Sequence, residues 1–234
     1  MNDVKIFNDL FVKGNYKKFK PNKNLKNKYG LKLKYIRAIY VNHLHNHIIR
    51  RHPIVKHKLK YIKLTNPIKL SKKLDYPPNL LLKMLIKYFK FQPSKKLEEK
   101  CLKLDYYNNP DYYVKSKYNS YLFEKKLQKL FNSNNYKTEE QLKKEKYKLT
   151  PDILFTIPFI YENKSIFWID GKNYFGGYNK FTISTIVKQY KKYNDYFGEG
   201  MFVFRYGYSK YLTSKLKNIT IVSYDEIKKK KMKS

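Results

Sequence analysis

The spacing of apolar residues changes along this chain, and the change limits the folds open to it. Up to Phe131 they recur mostly at three- and four-residue steps, the spacing of helices. Between Ile153 and Ile169 they alternate or run together, as in strands. Residues 1–30, polar and rich in Asn and Lys, read as a loose arm with one short helix. From Leu31 to His52 the residues Tyr35, Ile36, Ile39, Tyr40, Leu44, Ile48 and Ile49 predict a helix, and Pro53 either ends it or starts the next element. A second helix opens at Pro77-Pro78 and runs through Leu81, Met84 and Leu85 to Phe89, and Ser94 caps a third carrying Leu97, Cys101 and Leu104. Asn108-Asn109-Pro110 reads as a linker, followed by a helix over Tyr118–Phe131.

Beyond it, Ile153–Ile157 and Ile166–Ile169 flank the turn Tyr161–Lys164 as a β-hairpin. Thr182 to Phe197 is helical and ends near Gly198, with strands at Met201–Tyr206 and Ile219–Val222. The order predicts an α/β domain, a small mixed sheet with a helix on each side. The expected division is a basic helical module at 1–110, an α/β domain at 111–225 and a basic tail at 226–234. At 234 residues the chain is long enough for either one large domain or two small ones.

The formal net charge is +34, which favours a polyanionic partner. Distribution sharpens the point, because no Asp or Glu occurs between Asp9 and Asp75 while that stretch holds 19 Lys and Arg. A merely solvated surface mixes both signs. Short helices with basic faces suit a helix-turn-helix-like module for nucleic acid; a plain helical packing domain has the same pattern, and charge decides between them. All five histidines fall between His43 and His57, where a wet, phosphate-facing surface is expected rather than a zinc site. The single cysteine, Cys101, rules out an intrachain disulfide, and no apolar run reaches the roughly 18 residues of a membrane span. A soluble intracellular protein with no membrane partner is expected, in the nucleus or the cytoplasm, the Lys228–Lys231 run being either a nuclear address or a frayed tail.

Asp170-Gly171-Lys172 ends the most apolar strand of the chain. A D/E-x-K triplet by itself says little, since Glu98-Glu99-Lys100 and Glu162-Asn163-Lys164 have the same form. Context separates this one: a charge after Ile166-Phe167-Trp168-Ile169 is costly to bury unless paired or metal-bound. Alternation puts Asp170 and Lys172 on one face. The partner strand begins Thr150-Pro151-Asp152, so the hairpin brings Asp152 toward Asp170. Two adjacent carboxylates repel, and a hard cation, Mg²⁺ or Mn²⁺, relieves that by taking oxygens from both. Lys172 would then stabilise developing charge on a phosphoryl group. On residues alone another reading stays open: Asp152 caps a turn and Asp170 forms an ion pair with Lys172.

Thr150-Pro151-Asp152-Ile153-Leu154, Trp168-Ile169-Asp170-Gly171-Lys172-Asn173-Tyr174-Phe175-Gly176, Gln189-Tyr190-Lys191-Lys192-Tyr193 and Tyr206-Gly207-Tyr208 together resemble the TPD-motif family of PD-(D/E)xK nucleases, which includes the codanin-interacting nuclease of animals. The resemblance covers roughly residues 75–208. It implies a restriction-endonuclease-like domain and a metal-dependent phosphodiester hydrolase acting on DNA. It also implies a catalytic set of Asp152, Asp170 and Lys172, with Glu124 completing the metal site of Glu124, Asp152 and Asp170. Gln189 and Tyr193 would lie one helical turn apart beside the metal, and a codanin-like protein would be a partner. The chain departs from the family in having Asp170 where the animal proteins have Glu, and in its shorter, more basic N-terminal region. Two rivals of other classes are a scaffold or nucleic-acid-binding protein on a catalytically inactive nuclease fold, and an RNA-binding protein with no active site.

Overall fold

The structure, a computed structural model, describes residues 3–62, 66–132, 134–177 and 180–231. It opens with helices α1 (Asp3–Leu10), α2 (Lys23–Tyr29), α3 (Leu33–Leu59), α4 (Pro67–Leu74), α5 (Pro78–Phe89) and α6 (Lys95–Leu104). After a 3-10 turn at Tyr106–Asn108 comes α7 (Pro110–Leu130). Then follow β1 (Tyr136–Thr138), α8 (Glu139–Lys144), β2 (Ile153–Tyr161), β3 (Lys164–Lys172), α9 (Lys180–Phe197), β4 (Gly200–Phe204), α10 (Lys210–Lys215), β5 (Thr220–Ser223) and α11 (Tyr224–Lys231). Two compact units, 4–118 and 119–234, divide the chain inside α7. The division does not fall at Asn108-Asn109-Pro110, the expected linker. That segment is tied down: the Asn79 side-chain amide donates to the Asn108 carbonyl at 2.8 Å, and Asn108 donates to Asp105 at 2.8 Å.

The first unit is all-helical around Tyr16, Tyr40, Leu44, Val55, Leu59, Leu74, Tyr76, Leu81 and Leu85. Residues 1–30 are not a loose arm, since they contribute α1 and α2 and bury Phe7 and Tyr16. Nor does Pro53 end its helix; α3 continues to Leu59 with Pro53 inside it. An interior proline costs about 3 kcal/mol. Burying Val55 and Leu59, both at most 1 % exposed, returns about 1.5–3 kcal/mol each, which is enough to carry the helix through. Asp75 organises the unit's centre from a left-handed position (φ 49°) after α4. It accepts from the Gly14 amide at 2.8 Å and the Tyr16 hydroxyl at 3.1 Å, and lies 3.0 Å from His47 Nε2.

The second unit is a mixed α/β domain with one five-stranded sheet in the order β1-β2-β3-β4-β5. β1, β2 and β3 are antiparallel neighbours, and β3, β4 and β5 are parallel. The predicted hairpin is present, with Tyr161 paired to Lys164 across a turn whose residues Glu162 (φ 47°) and Asn163 (φ 62°) are both left-handed. β3 is apolar from Ile166 to Ile169 because both its faces are covered there. Ile166 and Ile169 join Phe123 and Leu127 of α7 and Ile227 of α11 on one side. Trp168 joins Ile186 of α9 and Leu212 of α10 on the other. The expected basic tail is largely helical, since α11 runs to Lys231 with Ile227 fully buried; residues 232–234 lie outside those described.

Gly200 fixes how closely β4 approaches Trp168. A Cβ there would lie 2.1 Å from the indole, which is itself fully buried and whose Nε1 donates to the Gly198 carbonyl at 2.9 Å. Gly200→Ala is expected to destabilise this unit by about 1–3 kcal/mol, the usual cost of overpacking. Calorimetry should record a fall of about 2–12 °C in melting temperature. An unchanged melt would mean that the ring has room to move.

Candidate active site

The carboxyl ends of the central parallel strands are where open α/β sheets present their ligand sites. Here β3 ends in Asp170, Gly171 and Lys172. Asp170 and Lys172 share the α9 face of the sheet with Trp168, and the Lys172 ammonium lies 2.5 Å from Asp170 Oδ1 and 5.0 Å from the Phe202 ring centroid. Gln189 of α9 bridges both residues. Its Nε2 donates to Asp170 Oδ2 at 2.5 Å, and its Oε1 accepts from Lys172 Nζ at 2.8 Å. The expected convergence of Asp170, Lys172 and Gln189 is therefore present as one hydrogen-bonded group.

Asp152 stands just before β2, one step beyond the Ile153↔Ile169 pair, and its Oδ2 accepts from the Gly171 amide at 2.6 Å. Gly171 permits this approach, since a Cβ there would meet Leu127 at 2.6 Å and Asp152 Oδ2 at 3.2 Å. Burial raises the Asp152 pKa to about 8, with the Asp170 charge adding to the rise and the Gly171 hydrogen bond opposing it. Glu124 of α7 is raised in the same direction, first by burial and then by Glu139 and Asp170.

The three carboxylates that meet most closely are Glu124, Glu139 and Asp152, with oxygens all within 4.8 Å of one another. Glu139 was not singled out in the sequence, and Asp170 is turned toward Lys172 and Gln189 instead. A signal for Glu139 existed: Thr138-Glu139-Glu140-Gln141 forms a capping box that starts α8 and puts Glu139 in its first turn, where acids are favoured. Lys143, one turn on, pairs with Glu139 at 2.6 Å. An all-oxygen set of half-buried, mutually repelling acids fits a hard divalent cation such as Mg²⁺ or Mn²⁺.

Tyr193 takes a bracing role. Its ring packs edge-on against Trp168 at 5.0 Å, and its hydroxyl faces the Thr150 carbonyl at 3.5 Å, steadying the Thr150-Pro151-Asp152 segment. Arg205, also not singled out, pins the strand ends to α7. Its amide donates to the Lys172 carbonyl at 2.9 Å, and its guanidinium donates to Asn173 Oδ1 at 2.7 Å and to the Asn119 carbonyl at 3.3 Å. Asn173 in turn donates to Ser120, one helical turn before Glu124, at 3.2 Å.

Of the histidines, His45, His52 and His57 are exposed, and His43 and His47 are half-buried. His47 is held by Asp75, and His52 Nδ1 lies 2.6 Å from the Tyr76 hydroxyl, because α4 and its cap pack against α3. Among the described residues no helix is long and apolar enough to cross a membrane.

These features define a mixed α/β protein with a cluster of half-buried acids and a lysine at its strand ends. The chain belongs to the TPD sequence-motif family, described as a protein family of unknown function, which matches residues 92–226. An uncharacterised protein of Acanthamoeba polyphaga mimivirus is 38 % identical over 141 residues, covering 56 % of this chain and 50 % of that protein. The chain thus spans about half the length of that curated relative. No solved structure matches.

The raised Asp152 pKa has a consequence for metal-free protein. The folded state keeps a proton up to about pH 8 that the unfolded chain releases near 3.8. Stability should therefore be greatest below about pH 4 as far as this group is concerned, and decline as pH rises through 8. Melts in EDTA should show that decline in the wild type and a flatter profile in Asp152→Asn. Equal slopes would show that Asp152 is not a strained acid.

Proposed function

We propose that the protein is a metal-dependent nuclease of the PD-(D/E)xK type, hydrolysing phosphodiester bonds in DNA. The observation that carries this reading is the meeting of Glu124, Glu139 and Asp152 beside the Asp170–Lys172–Gln189 group at the strand ends. Glu124, Glu139 and Asp152, with Asp170 alongside, would hold Mg²⁺ or Mn²⁺. That ion supplies Lewis acidity and positive charge at the scissile phosphate. The chain's own groups do the rest. Lys172, fixed by Asp170 and Gln189, offers a positioned cation to the charge that develops on the phosphoryl oxygens. Phe202 beneath its ammonium keeps that cation from swinging toward the core. The basic helical unit supplies phosphate contacts that hold the strand without reading its sequence. A nuclear protein that works on DNA accords with this reading.

The Asp170–Lys172 contact also suits a rival, a binding protein on the same fold with no activity. The acid cluster counts against that, because like charges brought together without use lower stability.

Purified protein should cut DNA in Mg²⁺ and not in EDTA. Asp152→Asn and Lys172→Ala should each lower kcat by about 100-fold or more, the scale of losing one preorganised group. Full activity in either variant would remove that residue from the chemistry. Mg²⁺ at 100 times its dissociation constant should stabilise the wild type by about 2.7 kcal/mol, and Asp152→Asn by much less. A melt that metal leaves unmoved would argue against the ion site.

For the helical unit, replacing the exposed Lys23, Lys26, Lys58 and Lys60 by Gln should lower DNA affinity. The slope of log affinity against log salt should become shallower by about one unit for each phosphate that the variant no longer neutralises. An unaltered slope in binding titrations would place the phosphate-binding surface elsewhere.

A further inference from the structure

Two exposed tyrosines flank the acid cluster, and the reaction as read above gives neither a task. Tyr174 follows Asp170 and Lys172 by two-residue steps, and its ring is braced against buried Phe204 at 5.7 Å and 77° while remaining 38 % exposed. Tyr121 lies on α7 three residues before Glu124, 45 % exposed, with the Lys125 ammonium 5.2 Å from its ring centroid. Their immediate neighbours are joined by a side-chain bond, Asn173 to Ser120 at 3.2 Å. Arg205 holds the same junction from beneath through Asn173 and Asn119. Tyr174 is thus braced by Phe204 and Tyr121 is carried by α7 one turn before Glu124, and leaving large aromatic surface in water carries a free-energy cost.

We propose that the site takes an unpaired nucleic-acid strand, with Tyr174 and Tyr121 as the surfaces on which bases next to the scissile phosphate stack. This rests on the nuclease reading and adds the substrate class. The reason is geometric. In a duplex both faces of an internal base are covered by its neighbours, so a protein ring can reach one only at an end, a flap or a single strand. Stacking is tolerant of sequence, because every base has a π-face, and it complements the sequence-blind phosphate contacts of a strongly basic chain. Lys125 beside Tyr121 adds a cation where the backbone of a stacked strand would pass. A flap, a splayed end and a single-stranded RNA share this chemistry.

The test is a binding measurement on full-length protein in EDTA, so that metal-dependent cutting does not enter. Anisotropy of labelled single-stranded DNA, single-stranded RNA of the same sequence and blunt duplex DNA gives three affinities. The single strands should bind more tightly than the duplex. Tyr174→Ala and Tyr121→Ala should each weaken single-strand binding by about 5- to 150-fold. Both should leave duplex binding unchanged, and Tyr→Phe at either position should keep the wild-type affinity. Preference for DNA or for RNA assigns the sugar, and either result supports the proposal. Duplex binding as tight as single-strand binding overturns it, as do alanine variants that bind single strands like the wild type. If an alanine variant fails to fold by circular dichroism, the duplex comparison and the other tyrosine still decide. Absence of cleavage in Mg²⁺ with the tyrosine effects intact would sink the nuclease reading alone.

Discussion

The site depends on how closely helix α7 can approach the end of β3. Gly171 has no side chain, and the space a Cβ would take is filled by Leu127, Phe123 and the Asp152 carboxylate. The Asp152 oxygen then reaches the Gly171 amide, and Glu124, one turn before Gln128 on the same helix, comes within range of it. A larger residue at 171 would push out the helix and with it one carboxylate of the three. The small residue in the middle of Asp170-Gly171-Lys172 is thus as consequential as the charged ones on either side.

That arrangement puts two kinds of acid within a few ångströms. Asp170 is compensated, with a lysine and an amide on its two oxygens. Asp152 and Glu124 are instead raised in pKa, by burial first and then by the neighbouring acids. One acid serves to orient a cationic side chain, whereas the others hold their protons more readily in the metal-free protein. An ion bound as proposed would displace those protons.

Much of this was legible in the sequence where the signal is local. The hairpin followed from alternation and from two apolar runs around Tyr161–Lys164, and the pairing of Asp152 with the end of β3 followed from the hairpin. Gln189 is implied by the family resemblance alone, and its bridge between Asp170 and Lys172 is seen only in the fold. What was missed depended on packing. Pro53 reads as a break until Val55 and Leu59 are seen in the core. The asparagines at 108 and 109 read as a linker until Asn79 and Asp105 are seen to hold them. Glu139 sits on a six-residue helix too short for periodicity to reveal. Arg205 acts through backbone carbonyls and Asn173, contacts that no spacing rule records.

The placement of Trp168 has a practical meaning. It is the chain's one tryptophan, fully buried in the α/β unit between Gly200, Tyr193 and Phe202, with its Nε1 bound to the Gly198 carbonyl. Indole emission therefore reports on packing within residues 119–234. Backbone ellipticity is dominated by helix and sees both units. Following the two signals side by side would tell whether the two units unfold together or apart, with no label and no truncation.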